Sequence, residues 1–148
     1  MKTRPYAFIH DWGGYKDQTM VVVGTKDVSD LVYFFKRFKV YPKIAKDFIE
    51  WWKDNKTPDT DNGSFIYVES DHGRMTVLYL REWPKKTRWE NYETLMHELH
   101  HAVHIILGEK RGMEKEKEAL AYAQEILFNR IRRKLNRIDK CEIITLKK

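Results

Sequence analysis

Cysteine is almost absent from this sequence: Cys141 is the only one in 148 residues. A lone cysteine excludes an internal disulfide and suits a reducing compartment, so a cytoplasmic protein is expected. No run of about 18 apolar residues occurs, which excludes a membrane-spanning helix. The start, Met1-Lys2-Thr3-Arg4-Pro5-Tyr6, is basic but lacks the apolar stretch of a secretory signal. No internal repeat and no second domain are visible, so a single domain over residues 1–148 is expected. No histidine follows His104.

What is present is the composition of a folded chain. Apolar residues make up 42% and aromatics 14%, too much for disorder. The net charge of +6 favours acidic partners. Much of the excess lies in Arg130, Arg132, Arg133, Lys134, Arg137 and Lys140. Such a run reads first as a solvated helix end whose cations suit the helix dipole. Its second reading is a weak, sequence-independent contact with nucleic acid.

The pattern along the chain is mixed. Tyr6 to His10 and Met20 to Val23 read as strands that can pair as a hairpin with a long connection. Asp27 or Ser29 caps a helix running through Leu31, Phe34, Phe35 and Phe38. Pro42 suits the first turn of a second helix carrying Ile44, Phe48, Ile49, Trp51 and Trp52. Lys53 to Gly63 reads as a loop. Phe65 to Val68 and Met75 to Leu80 read as strands joined tightly, with Gly73 supplying a positive φ. Helices are expected over Arg88 to Leu107 and Glu114 to Arg137, with a short strand over Glu142 to Leu146. The class is α+β.

The first of those two helices carries the chemistry. Thr87-Arg88-Trp89-Glu90 has the form of a capping box, and Gly108 fits the stop. On a wheel of about 100° per residue, His97, His101 and His104 share a stripe. Leu95, Leu99, Ala102, Val103 and Ile106 lie opposite. Residues i and i+4 stack one turn apart, so His97 and His101 can reach one metal ion at about 2.0–2.1 Å each. Glu98 lies a quarter turn aside, where its carboxylate can take a proton from water beside the ion without occupying a coordination position. This is the His-Glu-x-x-His logic of zinc peptidases.

A catalytic zinc site wants three protein ligands. His104 stands where the longer histidine pattern has glycine, and Leu107 stands where it has its third histidine. Three side chains on consecutive turns of one helix do not converge easily on a tetrahedral ion, so His104 is not the expected ligand. The candidates are Glu114, Glu116, Glu118 and Glu125. Glu118 is favoured, because Ala119, Ala121 and Ala123 allow a close helix approach. Glu125 shares its face two turns on.

With these residues in hand, the sequence resembles the glutamate-type zincins. More narrowly, it resembles the minimal zincin-like domains of the family containing bacterial proteases that cleave mobile-element and phage repressors. That family pairs a His-Glu-x-x-His helix with a helix reading Glu-Ala-Asn-x-Phe-Ala. Here the second helix reads Glu118-Ala119-Leu120-Ala121-Tyr122-Ala123, with Leu120 in place of the asparagine. The similarity runs from Trp89 to Leu127. It implies a zincin-like fold, in which a small antiparallel or mixed sheet packs against the active-site helix and a second ligand-bearing helix. It implies His97, His101 and Glu118 as zinc ligands and Glu98 as general base. It also implies a peptide substrate laid antiparallel along an edge strand, for which Met75 to Leu80 is the candidate. Tyr122, one turn from Glu118, is the candidate donor to the oxyanion, with His72, Tyr79 and His104 as others. Trp83 and Trp89 are expected to pack at the entry to the zinc helix.

The function expected is therefore that of a cytoplasmic zinc-dependent endopeptidase acting on a protein substrate, related to phage or mobile-element systems. The alternatives are a non-catalytic zinc-binding regulatory module and a nucleic-acid-associated protein using Arg130 to Lys140. The basic run lacks an interleaved stacking platform, which places the nucleic-acid reading last.

Overall fold

The computed structural model describes residues 5–12, 18–25, 27–55, 63–70, 73–81, 83, 88–109 and 112–137, with backbone alone for 55, 63–70, 73–74 and 88–91. The Asp71–His72 turn, Thr87, Lys140, Cys141 and the expected strand Glu142 to Leu146 lie outside these residues. The chain forms two compact units. The first holds the described residues up to Arg81 and the second those from Trp83. The class is α+β, as expected, with a mixed sheet. Among the described residues no helix is long and apolar enough to cross a membrane.

In the first unit, β1 (Tyr6–Asp11) and β2 (Gln18–Val23) form the expected antiparallel hairpin, in register from Tyr6↔Val23 to Asp11↔Gln18. The chain then makes two helices, α1 (Val28–Arg37) and α2 (Pro42–Asn55). It returns as β3 (Gly63–Ser70) and β4 (Gly73–Leu80), paired antiparallel down to Ser70↔Gly73. Gly73 is thus the first residue of a strand. The sheet order is β1-β2-β4-β3, with β2 and β4 parallel. This overturns one expectation. Met75 to Leu80 is paired on both sides, so it has no free edge for a peptide. Among the described residues the edges of this sheet are β1 and β3.

Local chemistry explains the helix ends. Asp27, in extended backbone, accepts a hydrogen bond from Ser29 N at 3.0 Å and so caps α1. At the other end Val40 N donates to Phe35 O (2.9 Å) and Lys39 N donates to Lys36 O (3.2 Å), with Lys39 left-handed at φ 54°. These are the two bonds of a Schellman stop, made here without glycine. Pro42 opens α2, where a missing N–H costs nothing.

Ala7, Met20, Val22, Met75, Val77 and Tyr79 alternate onto one sheet face. There they pack with Leu31, Phe34 and Phe35 of α1 and Ile44, Phe48 and Trp52 of α2. Edge-on ring pairs lock this core: Phe35 with Phe48 at 5.3 Å, and Trp52 with Tyr79 at 5.1 Å. The parallel join of β2 and β4 carries a buried polar chain. Trp12 Nε1 donates to Thr19 Oγ1 (2.7 Å), Thr19 shares a hydrogen bond with Thr76, and Thr76 Oγ1 donates to Gln18 O (3.3 Å). Each hydroxyl can donate once along that chain, which is what burial of two threonines demands.

The second unit is built on α3 (Arg88–Val103), a π-helical turn (His104–Glu109) and α4 (Lys117–Arg137). Gly108 sits inside the π-turn and is not the left-handed stop that was expected. Gly112 takes that role, at φ 70°. Met113 N then donates to Leu107 O (3.0 Å) and Gly108 O (3.1 Å), satisfying the last carbonyls. Leu95, Leu99, Ala102, Val103 and Ile106 are buried from one end of the pair, and Leu120, Leu127, Ile131 and Leu135 from the other. An aromatic series joins them, with Trp83 at 6.0 Å from Tyr92 and Tyr92 at 5.9 Å from Phe128. Trp83 Nε1 donates to Asn136 Oδ1 at 3.1 Å. Trp83 therefore packs at the entry to α3 as expected; the Trp89 side chain lies outside the description.

Candidate metal centre

α3 sorts its residues by side, as its periodicity requires. The apolar stripe is buried, while His97, His100 and His101 are exposed, as is His104 at the start of the π-turn. Glu98 lies between the two faces and is buried, with 7% of its surface exposed. A carboxylate in that position stands at the edge of the histidine face, where such a group could take up a proton.

His97 and His101 come together. Their Nε2 atoms are 3.2 Å apart, with ring planes at 86° and centroids 4.7 Å apart. Two imidazole nitrogens bound at about 2.0–2.1 Å to one tetrahedral ion stand about 3.3–3.4 Å apart. The pair is therefore spaced as two ligands of a common ion. The His101 imidazole is held below its ordinary pKa, chiefly by partial desolvation of its otherwise exposed ring and then by His97, His100 and His104. That favours the neutral ring, the form that offers a lone pair to a metal.

Glu118 and Glu125 do not join the pair. Among the described residues no group of three histidine, cysteine or carboxylate side chains is placed to hold a metal ion. The reason is the side of α3 on which α4 docks. α4 meets α3 through Phe128 against Tyr92 and through Gln124 Nε2, which donates to Met96 O at 3.2 Å. Around α3, His101 is about 180° and His97 about 140° from Tyr92. On α4, Glu118 is about 160° from buried Leu120 and is itself exposed. The alanines expected to let Glu118 approach the histidines do not bring it there.

Glu118, Glu125 and Tyr122 instead share an open groove with Lys117 and Ala121, of about 250 Å³. That volume is below the usual range for a small-molecule pocket, about 300–1,000 Å³. Tyr122 is one turn from Glu118, as expected, and 62% exposed. Of the other candidate oxyanion donors, Tyr79 is buried in the core of the first unit against Trp52. His104 lies against His100, with ring centroids 4.2 Å apart and planes tilted by 49°. His72 lies outside the described residues. In the basic run, Arg132 is held by its own helix, donating to Asn129 Oδ1 at 3.3 Å with its guanidinium 5.8 Å from the Phe128 ring.

The sequence reading overlooked the second histidine contact, between His100 and His104. Its i, i+4 spacing was the available signal. In comparisons with protein-family models, with curated proteins and with solved structures, nothing matches this chain.

Proposed function

We propose that this chain is a zinc-dependent peptidase of the cytoplasm, acting on a protein substrate, with a zincin-like arrangement of the helix that bears the site. The observation that carries the reading is the 3.2 Å separation of the His97 and His101 Nε2 atoms on successive turns of α3, with Glu98 buried beside them. His97 and His101 would hold the ion. A bound zinc ion lowers the pKa of water toward about 7 and polarises a carbonyl. Glu98 accepts the proton that water loses as its oxygen bonds to the peptide carbonyl carbon. It then returns that proton to the nitrogen as the C–N bond breaks. Glu118 is the proposed third ligand, on the strength of the family resemblance, and Tyr122 the proposed donor to the oxyanion.

One observation favours a second reading, a zinc-binding regulatory module without catalysis. It is that Glu118 is exposed and that no third ligating side chain joins the histidine pair among the described residues. Glu98 discriminates between the two, since a purely structural ion needs no carboxylate base beside its ligands.

The test compares the wild type with His101→Ala and Glu98→Gln. Elemental analysis of protein washed with a weak chelator, so that only the tightly held ion remains, should give about one zinc per chain for the wild type and for Glu98→Gln, and His101→Ala should lose that ion. Hydrolysis of a protein substrate by the wild type should fall by several orders of magnitude in Glu98→Gln. Zinc retained with full activity in Glu98→Gln would remove Glu98 as the base. Failure of the wild type to take up any transition metal would remove the proposal entirely.

A further inference from the structure

The histidine face of the second unit carries more donors than one ion needs. His100 and His104 are also one turn apart and both exposed. Their ring centroids are 4.2 Å apart with planes at 49°, closer than the 4.7 Å between His97 and His101. His100 and His101 are 6.2 Å apart by ring centroid, so the two pairs are neighbours and each closes on itself. The second pair closes where the helix changes its winding: His104 is the first residue of the π-turn. π-turns inside helices recur at functional sites because they re-aim side chains. The contacts described for both rings are with other imidazoles only.

We propose that His100 and His104 form a second binding site, for a borderline transition-metal ion such as Zn²⁺, Ni²⁺ or Cu²⁺. Imidazole nitrogen suits these ions and not Mg²⁺ or Ca²⁺, which take oxygen ligands. Two imidazoles one helical turn apart supply two donors, and water completes the shell. The site binds without hydrolysing. Glu98 is about 160° around α3 from His100, so no base stands beside the second pair as one stands beside the first. The inference is independent of the peptidase reading, because it rests on a different pair of rings.

Chelator-treated protein titrated calorimetrically with Ni²⁺ alone tests it. The wild type should take up about two ions per chain. The double variant His100→Ala, His104→Ala should lose one of them and keep the other. His97→Ala, His101→Ala should keep one, and removal of all four rings should leave none. Because these side chains are exposed, far-UV circular dichroism should show every variant folded. A wild type that saturates at one ion, with binding unchanged in His100→Ala, His104→Ala, would overturn the inference while leaving the first pair intact. Binding of Mg²⁺ at the same site would also overturn it. Uptake that survives loss of His97 and His101 but not of His100 and His104 would support it and count against the first pair.

Discussion

The His101 ring stands edge-on to that of His97, planes 86° apart, with 3.2 Å between their Nε2 atoms. Two nitrogen lone pairs at that distance repel unless something positive lies between them. A proton on one of the two nitrogens can do this, and a cation can replace it. Both pairings on the histidine face follow from i, i+4 spacing, but only the His97–His101 pair has a carboxylate at its side.

The third ligand is the part of the site that most needs measurement. If Glu118 completes it, Glu118→Gln should lower zinc affinity in a chelator competition by at least about tenfold, and activity should recover partly in excess zinc. Glu125→Gln should change little. Loss of zinc in Glu125→Gln alone would reassign the ligand. Unchanged affinity in both variants would favour a donor elsewhere.

The His101 pKa gives a stability prediction with a definite sign. Its folded value lies below the ordinary 6.5. The folded state therefore favours the neutral ring. The contribution is fully present above pH 6.5 and is lost as pH falls through the lowered value. In the presence of a chelator, the melting temperature of the wild type should drop more between pH 7.5 and pH 5.5 than that of His101→Ala. Parallel losses in the two proteins would show that His101 carries none of the effect.

Lys39 holds a left-handed backbone at the end of α1, at φ 54°. A side chain there costs about 1 kcal/mol that glycine avoids. Lys39→Gly should raise stability by roughly that amount in urea denaturation, with an unchanged m-value. A destabilised Lys39→Gly protein would mean that the aliphatic stem of the lysine contributes more than the backbone strain removes.

Thr76 lies in the middle of the polar chain between β2 and β4 and is 1% exposed. Thr76→Val keeps the shape but leaves the Thr19 hydroxyl proton without its acceptor. A loss of about 1–3 kcal/mol is expected. Thr25 offers the control. Its hydroxyl is fully buried and has no hydrogen-bond partner among the described residues. Thr25→Val should therefore be neutral or stabilising by the same denaturation assay. Equal losses at both positions would mean that the hydrogen-bonded chain carries no special weight.

Much of this protein was legible in its sequence because the signals are local. Asp27 and Pro42 mark helix starts through chemistry within one turn of the backbone. The apolar and β-branched runs Tyr6 to His10 and Met20 to Val23 gave the hairpin, and a period of 3.6 residues put His97 and His101 opposite Leu95 and Leu99. Those features depend on neighbours a few residues away. The rest depended on partners far along the chain. Nothing within Met75 to Leu80 tells that β2 will pair with it in parallel and remove its edge, since that join is made across α1 and α2. Nothing within Glu118 to Ala123 tells which side of α3 its helix will meet. Tyr92, Met96, Gln124 and Phe128 decide that by packing, and with it where Glu118 stands. Periodicity sorts one helix into faces, but the rotation of one helix against another is set by side-chain packing that forms only in the folded chain.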